Sequence, residues 1–203
     1  SESCALAELK GSHPSYAGSP MSQGKFQFDL WGVTPSSRHD WEGLRQRVRS
    51  HGVRHSLLMS CMPCASSATI RGNSEGMDPR NANMYVRRIL SGEYVVTNKY
   101  LIEDLMRRDM WNDDMRQMLI AHKGSVQHLP IPTSLKKLYK TAFEVSQKST
   151  LALSAARGPF ICQSQSLNLW WKDVTRKKLT QAAMYAWTRG LKTGVYYTRT
   201  KAH

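Results

Sequence analysis

Thr193-Gly194-Val195-Tyr196-Tyr197 places two phenols side by side near the end of the chain. A phenol is one of the few side chains that can hold an unpaired electron once it has lost a proton and an electron. On an extended run, adjacent residues point to opposite faces, so only one of the two rings can face a common core unless the chain kinks. Without redox chemistry, the same pair reads as one buried and one half-exposed aromatic in a β-rich segment.

A second candidate is the loop Pro63-Cys64-Ala65-Ser66-Ser67-Ala68-Thr69, which follows the apolar run Ser56 to Met62 and precedes Gly72 and Gly76. Small hydroxylated residues with free backbone N–H groups suit phosphate oxygens, particularly where such a loop opens a helix. The same residues are also common in ordinary turns. Cys61-Met62-Pro63-Cys64 is a C-x-x-C, which serves as a redox pair or as half of a metal site. A metal or cluster site could draw in Cys162 as a third sulfur. No second C-x-x-C completes a zinc site by local spacing, and His51 and His55, spaced as H-x-x-x-H, are near in sequence but not shown to join it. The expectation is no metal, with the two cysteines as unrelated small residues around a proline.

Several elements must position these groups. Residues 1–10 read as a helix, and Gly11 to Gly24 as a Ser/Gly/Pro-rich loop. Phe26 to Trp31 alternates weakly. Trp41 to His51 is a basic amphipathic helix stopped by Gly52. Ser56 to Met62 reads as a buried strand ending at Pro63. A polar loop runs from Cys64 to Asn83, and Met84 to Leu90 extends. Asn98 to Arg108 is helical, with Leu101, Ile102, Leu105 and Met106 on one face. Asp113 to His122 is a second such helix, with Met115, Met118 and Leu119 at helical spacing, closed by Gly124. Leu135 to Arg157 reads as one long helix ending at Gly158-Pro159. Phe160-Ile161-Cys162 starts a strand, Leu179 to Trp187 is helical, and Gly194 opens the tyrosine strand. Helices and strands alternate, which predicts an α/β fold.

The chain has 203 residues, 40 % of them apolar and 22 % charged, enough for one domain with a core and suited to a soluble globular protein. No window approaches the apolar length of a membrane span. Ser1 to Ala5 has neither a basic nor an apolar signal region, and the missing initiator Met fits processing or truncation. Lys plus Arg outnumber Asp plus Glu by 29 to 15, a net charge of +14. Such an excess attracts polyanions, so RNA or an acidic protein surface is a candidate partner. The cations are spread, with small clusters at Arg45-Gln46-Arg47-Val48-Arg49, Lys136-Lys137 and Arg176-Lys177-Lys178. The four cysteines are too few for a disulfide scaffold.

Read in order, the motifs resemble the large subunit of class I ribonucleotide reductase, closest to the eukaryotic and large-DNA-virus type. Leu58 to Glu75 is similar to that family's substrate-phosphate loop, Pro-Thr-Ala-Ser-Thr-Ala-Gln followed by Gly-Asn-Asn-Glu. Tyr85 to Tyr94 and Leu138 to Lys148 resemble two further signatures. Phe160 to Leu169 resembles Phe-Ile-Asp-Gln-Ser-Gln-Ser-Leu-Asn, and Gly190 to Thr200 nearly repeats the family pattern through the tyrosine pair. The resemblance covers essentially the whole chain, residues 1–203. It implies the C-terminal half of a ten-stranded α/β barrel, incomplete on its own.

By this resemblance, Tyr196 and Tyr197 relay a radical arriving from a small subunit, and Pro63, Cys64, Ala65, Ser66 and Ser67 hold the diphosphate of a nucleoside-diphosphate substrate. The implied partners are the rest of the large subunit, or a complementary chain, and the radical-generating small subunit. No cofactor is expected on this chain directly. The implied compartment is the cytoplasm, with an organelle left open by the basic charge. The chain contains no Asn-x-Cys-x-Glu, so by resemblance the thiyl cysteine, its carboxylate and the reducing cysteines are missing, as are the nucleotide-sensing domain and the cysteine tail. Within the match, Cys64 and Ser67 replace threonines and Cys162 replaces an aspartate. Trp170 to Lys178 replaces a more acidic segment. Two readings follow: a portion of a working reductase that is not catalytic alone, or a degenerate, basic structural protein docked in a larger assembly such as a ribosome. A severed barrel would expose unpaired strand edges in either case.

Overall fold

The computed structural model describes residues 1–200. The chain forms two compact units, one from residues 1–61, 152–165 and 186–193, the other from 62–151, 166–185 and the final segment from Gly194. The helices are α1 (Glu2–Lys10), α2 (Gln27–Leu30), α3 (Trp41–His51), α4 (Ala65–Arg71), α5 (Lys99–Met106), α6 (Asp113–Ala121), α7 (Thr133–Leu138), α8 (Gln147–Arg157) and α9 (Arg176–Thr188). The strands are β1 (Met84–Ile89), β2 (Gly92–Thr97), β3 (Asn168–Trp171) and β4 (Tyr197–Thr200). Two of the five boundaries between the units fall inside helices, one in α8 and one in α9. The architecture is mixed helix and strand, with no closed barrel among the described residues.

In the first unit, α3 follows its sequence signals. Asp40 Oδ1 accepts from the Gly43 N–H at 2.9 Å, Glu42 sits in the positive first turn, Arg49 and His51 occupy the last, and Gly52 ends the helix at φ 76°. The helix packs Val48 into a small core with Cys4, Phe26, Phe28 and Val53. Phe26 to Trp31 does not extend, despite its alternation. The Phe26 N–H donates to Asp29 Oδ2 at 2.7 Å, which starts the helical turn α2, and both phenylalanines pack edge-on against Trp41.

The run Ser56 to Met62 is neither buried nor a named strand. Leu57, Leu58, Met59 and Met62 are all more than half exposed. It makes one isolated parallel bridge, Cys61 to Gln165, and Met59 O accepts from the Gln163 N–H at 3.1 Å. An apolar run of this kind is buried only when both faces of its strand are covered, and here Leu57, Leu58, Met59 and Met62 are left exposed. Phe160 to Cys162 does not begin a strand either. Gly158–Phe160 is a short 3-10 turn, with Pro159 at the start where its missing N–H costs nothing.

The second unit is built around Met84, Leu101, Leu105, Met115, Leu119, Val126, Leu129, Ile131 and Leu135. The helical spacing in α5 and α6 delivers Leu101, Leu105, Met115 and Leu119, whereas Met106 remains exposed. The polar stretch after Cys64 contains α4, which ends at Gly72 in the left-handed conformation (φ 65°, ψ 34°). β1 pairs antiparallel with β2, which gave no clear signal of its own, and β3 pairs in parallel with β4. The expected long helix from Leu135 to Arg157 is instead α7 and α8, separated by a turn. There the Thr141 N–H donates to Glu144 Oε2 at 2.8 Å, the Ala142 N–H donates to Arg80 O, and Gln147 Nε2 donates to the carbonyls of Ala142 and Val145. The Glu144 and Gln147 side chains and the Arg80 carbonyl thus take up backbone groups that a continuous helix would have paired.

Candidate functional site

The tyrosine pair is the best-defined cluster of chemically competent side chains. The Tyr196 N–H donates to Leu167 O at 2.6 Å, and β4 begins only at Tyr197, opposite Asn168 of β3. Because Tyr196 lies before the strand, the alternation of faces expected from sequence does not apply. The two rings sit together, with centroids 4.3 Å apart and planes inclined by 60°. Both are about half exposed, at 53 % and 48 %, so neither is the buried core aromatic of the plainer reading. The hydrogen bond with the Tyr197 phenol, followed by the charge that phenol would carry when ionised, pushes Tyr196 above the usual tyrosine range.

Arg199 lies two residues beyond Tyr197 on the same strand. Its guanidinium carbon is 4.9 Å from the Tyr197 ring centroid and 5.8 Å from that of Trp170, its direct partner across the sheet. Trp170 packs edge-on against Phe143 at 5.2 Å, and its backbone N–H donates to Gln147 Oε1 at 2.8 Å. Neither Trp170 nor Arg199 stood out as a site residue in the sequence. The signal that could have found Arg199 is the two-residue period from Tyr197.

Pro63, Cys64, Ala65, Ser66 and Ser67 form the entry to α4. Cys64 is its N-cap residue, and no side chain caps the first turn. Ala65, Ser66 and Ser67 are exposed, and their N–H groups precede the first bond of the helical ladder, Ala68 N–H to Cys64 O at 2.8 Å. The entry is pinned by the Cys64 N–H donating to Glu75 O at 2.7 Å. The Cys64 thiol makes only a long contact to Met62 O, at 3.9 Å. Uncapped N–H groups at a helix start, flanked by serine hydroxyls, are suited to anionic oxygens. A cavity of about 680 Å³ opens beside the other end of α4, with Asn73, Arg80, Arg87, Tyr94, Trp170 and Arg199 on its wall. Pro63 to Ser67 do not line it, although Ala68 and Thr69 do.

All four cysteines are free thiols. Among the described residues no three His, Cys, Asp or Glu side chains come close enough to hold a metal ion, so Cys61, Cys64 and Cys162 do not assemble one. Cys162 has a different environment: its sulfur accepts the backbone N–H groups of Leu58 and Met59 at 2.9 and 3.0 Å. No helix among the described residues is long and apolar enough to cross a membrane.

A family model described as the barrel domain of ribonucleotide reductase matches residues 1–197. The chain is 48 % identical to the ribonucleoside-diphosphate reductase large subunit of Caenorhabditis elegans and 49 % identical to the large chain of Schizosaccharomyces pombe, covering 98 % of its own length and 25 % of theirs. It is 46 % identical to the large subunit of vaccinia virus, over 98 % of itself and 26 % of the relative. The chain thus spans about a quarter of the length of the curated relatives it matches. Among solved structures, the class Id ribonucleotide reductase alpha subunit of Actinobacillus ureae superposes with a TM-score of 0.67 at 28 % identity, over 79 % of this chain and 31 % of that one.

Proposed function

Since the chain belongs to the ribonucleotide reductase barrel-domain family, we propose that it supplies the substrate-phosphate loop and the tyrosine radical relay of a ribonucleoside-diphosphate reductase large subunit, and is not catalytic alone. The observation that carries this reading is the contact of the Tyr196 and Tyr197 rings at 4.3 Å, which allows an electron to pass between them while each phenol exchanges its proton. The exposed, uncapped start of α4 supports the phosphate role for Ala65, Ser66 and Ser67, with Pro63 and Cys64 shaping the turn into it. The substrate in this reading is a nucleoside diphosphate, and the radical comes from a small subunit. The sulfur that takes hydrogen from the ribose lies outside the 203 residues, because the chain carries no Asn-x-Cys-x-Glu.

The competing reading, a degenerate, basic structural protein docked in a larger assembly such as a ribosome, draws on the missing Asn-x-Cys-x-Glu, the altered phosphate loop and the net charge of +14. Arg45, Arg47, Arg88, Arg107 and Arg116 are each ion-paired with a carboxylate, which weakens it. The test is reconstitution. The chain is mixed with a polypeptide covering the remaining part of a relative's large subunit and with a small subunit, and deoxynucleoside diphosphate is measured. Product is expected only from the mixture, and Tyr196→Phe or Tyr197→Phe should abolish it. A mixture that assembles stably yet forms no deoxynucleotide overturns the proposal.

A further inference from the structure

This inference rests on the redox role of the tyrosine pair and concerns a third ring. Trp170 and Arg199 are direct partners across β3 and β4, and Tyr197 is opposite Asn168. Residues two apart on a strand share a face, so Tyr197, Arg199, Asn168 and Trp170 lie on one side of this small sheet. One guanidinium is therefore in contact with two oxidisable rings, a phenol and an indole, at 4.9 and 5.8 Å from their centroids.

The two rings differ in what they can do with a proton. Trp170 Nε1–H is buried and has no acceptor among the described residues. An indole oxidised there keeps its proton and remains a radical cation, facing the like charge of Arg199. Tyr197 is 48 % exposed, so its phenol can release a proton to water, and the oxidised ring is then a neutral radical that the guanidinium does not repel. The cation thus disfavours an oxidised Trp170 more than an oxidised Tyr197.

We propose that Trp170 is a third redox-active ring of this face and that it passes an oxidising equivalent in one direction, to Tyr197, past Arg199. A one-electron oxidant takes one electron from the indole, leaving the radical cation. The Tyr197 phenol then returns one electron to the indole and gives its proton to water. The products are an intact indole, a neutral tyrosyl radical and one proton. Trp170 thereby protects the sheet by clearing stray oxidation onto the pair built to carry it.

The test is pulse radiolysis of the full chain with azide radical, a one-electron oxidant of indoles. The expected result is a first-order step, independent of protein concentration, in which the indolyl absorption decays as the tyrosyl absorption rises. Trp170→Phe should remove most of that step's amplitude, and Tyr197→Phe should prolong the indolyl radical. Arg199→Gln, a change at an exposed position, should slow the step several-fold by removing the repulsion that drives it. An unchanged amplitude in a folded Trp170→Phe chain overturns the proposal. If that variant does not fold, an unchanged or faster step in Arg199→Gln overturns it instead. The measurement uses neither nucleotide nor small subunit. Failure of the reductase reading leaves it intact, and failure of this step leaves the Tyr196–Tyr197 relay standing.

Discussion

Asn98 Nδ2 donates to Asn83 Oδ1 at 2.9 Å, and the two residues are only 6 % and 2 % exposed. Asn83 turns its own Nδ2 to the carbonyls of Gly124 and Tyr139, at 3.1 and 2.8 Å. One side chain therefore ties the start of β1 to the start of α5, the turn after α6 and the end of α7. Asn83 is tolerated in this core because its side-chain bonds are made, while Asn98 Oδ1 has no partner among the described residues, and removing Asn83 would leave Asn98 Nδ2 unpaired as well.

Asn83→Ala is therefore expected to destabilise the chain by about 1–3 kcal/mol, since it leaves the buried Asn98 Nδ2 without its acceptor and removes a donor from the half-buried Tyr139 carbonyl. Urea unfolding followed by circular dichroism measures this. A midpoint unchanged from wild type would show that the network contributes nothing.

Gly158 lies against the Trp31 indole, where an added Cβ would fall 2.5 Å from Cη2 and 2.7 Å from Cζ2. Gly158→Ala should displace the indole and cost about 1–3 kcal/mol, as overpacking does elsewhere. Trp31→Leu in the same background should recover part of the loss by opening the space. If the alanine variant unfolds at the wild-type urea concentration, the packing argument fails.

The two N–H groups aimed at Cys162 sulfur would suit a carboxylate better, since hydrogen bonds to a charged acceptor are worth roughly twice those to a neutral one. Cys162→Asp is expected to stabilise the chain by about 1 kcal/mol at neutral pH. Two such bonds hold the introduced carboxyl below its unfolded pKa, so the gain is present above that unfolded value and is lost as pH falls through the folded one. Melting temperatures across an acid pH series give the answer, and a gain that persists in strong acid would contradict it.

The raised ionisation of Tyr196 comes first from its hydrogen bond with Tyr197. Tyr197→Phe should bring Tyr196 back toward the ordinary tyrosine range, read as an earlier rise in tyrosinate absorbance on alkaline titration. A phenol whose folded pKa is raised favours the fold below its unfolded pKa, and that contribution fades as pH climbs through the folded value. The variant should therefore lose less stability in mild alkali than wild type. A titration curve that does not move would mean that the two phenols are not coupled.

The parts of the fold held by local chemistry could be read from residues alone. The amphipathic pattern of Trp41 to His51, the glycine that follows it, and the helical spacing of Leu101, Leu105, Met115 and Leu119 each gave the right element. The misreadings share a cause, which is that the deciding partner is distant in sequence or is a side chain. The strand expected at Ser56 to Met62 makes one isolated bridge, and nothing among the described residues covers its apolar side chains. The helix expected through Tyr139 to Ser146 is interrupted by Glu144, Gln147 and Arg80. At the site, Tyr196 and Tyr197 were evident as a dipeptide. Their ring contact was not, because it depends on where β4 begins. Arg199 was hidden for the reason that conceals most cross-sheet groups: its partners are Tyr197 and a tryptophan on another strand.

The outer edge of β4 has no strand beside it among the described residues, so a row of its amides and carbonyls is open to a neighbour, whereas on the outer edge of β3 the Trp170 N–H is already taken by Gln147 Oε1. A molecule with such a docking rail will behave differently at micromolar and millimolar levels, because two copies can zip together where one copy leaves water. Dilution therefore belongs with pH and salt among the conditions to control whenever the tyrosine face is probed.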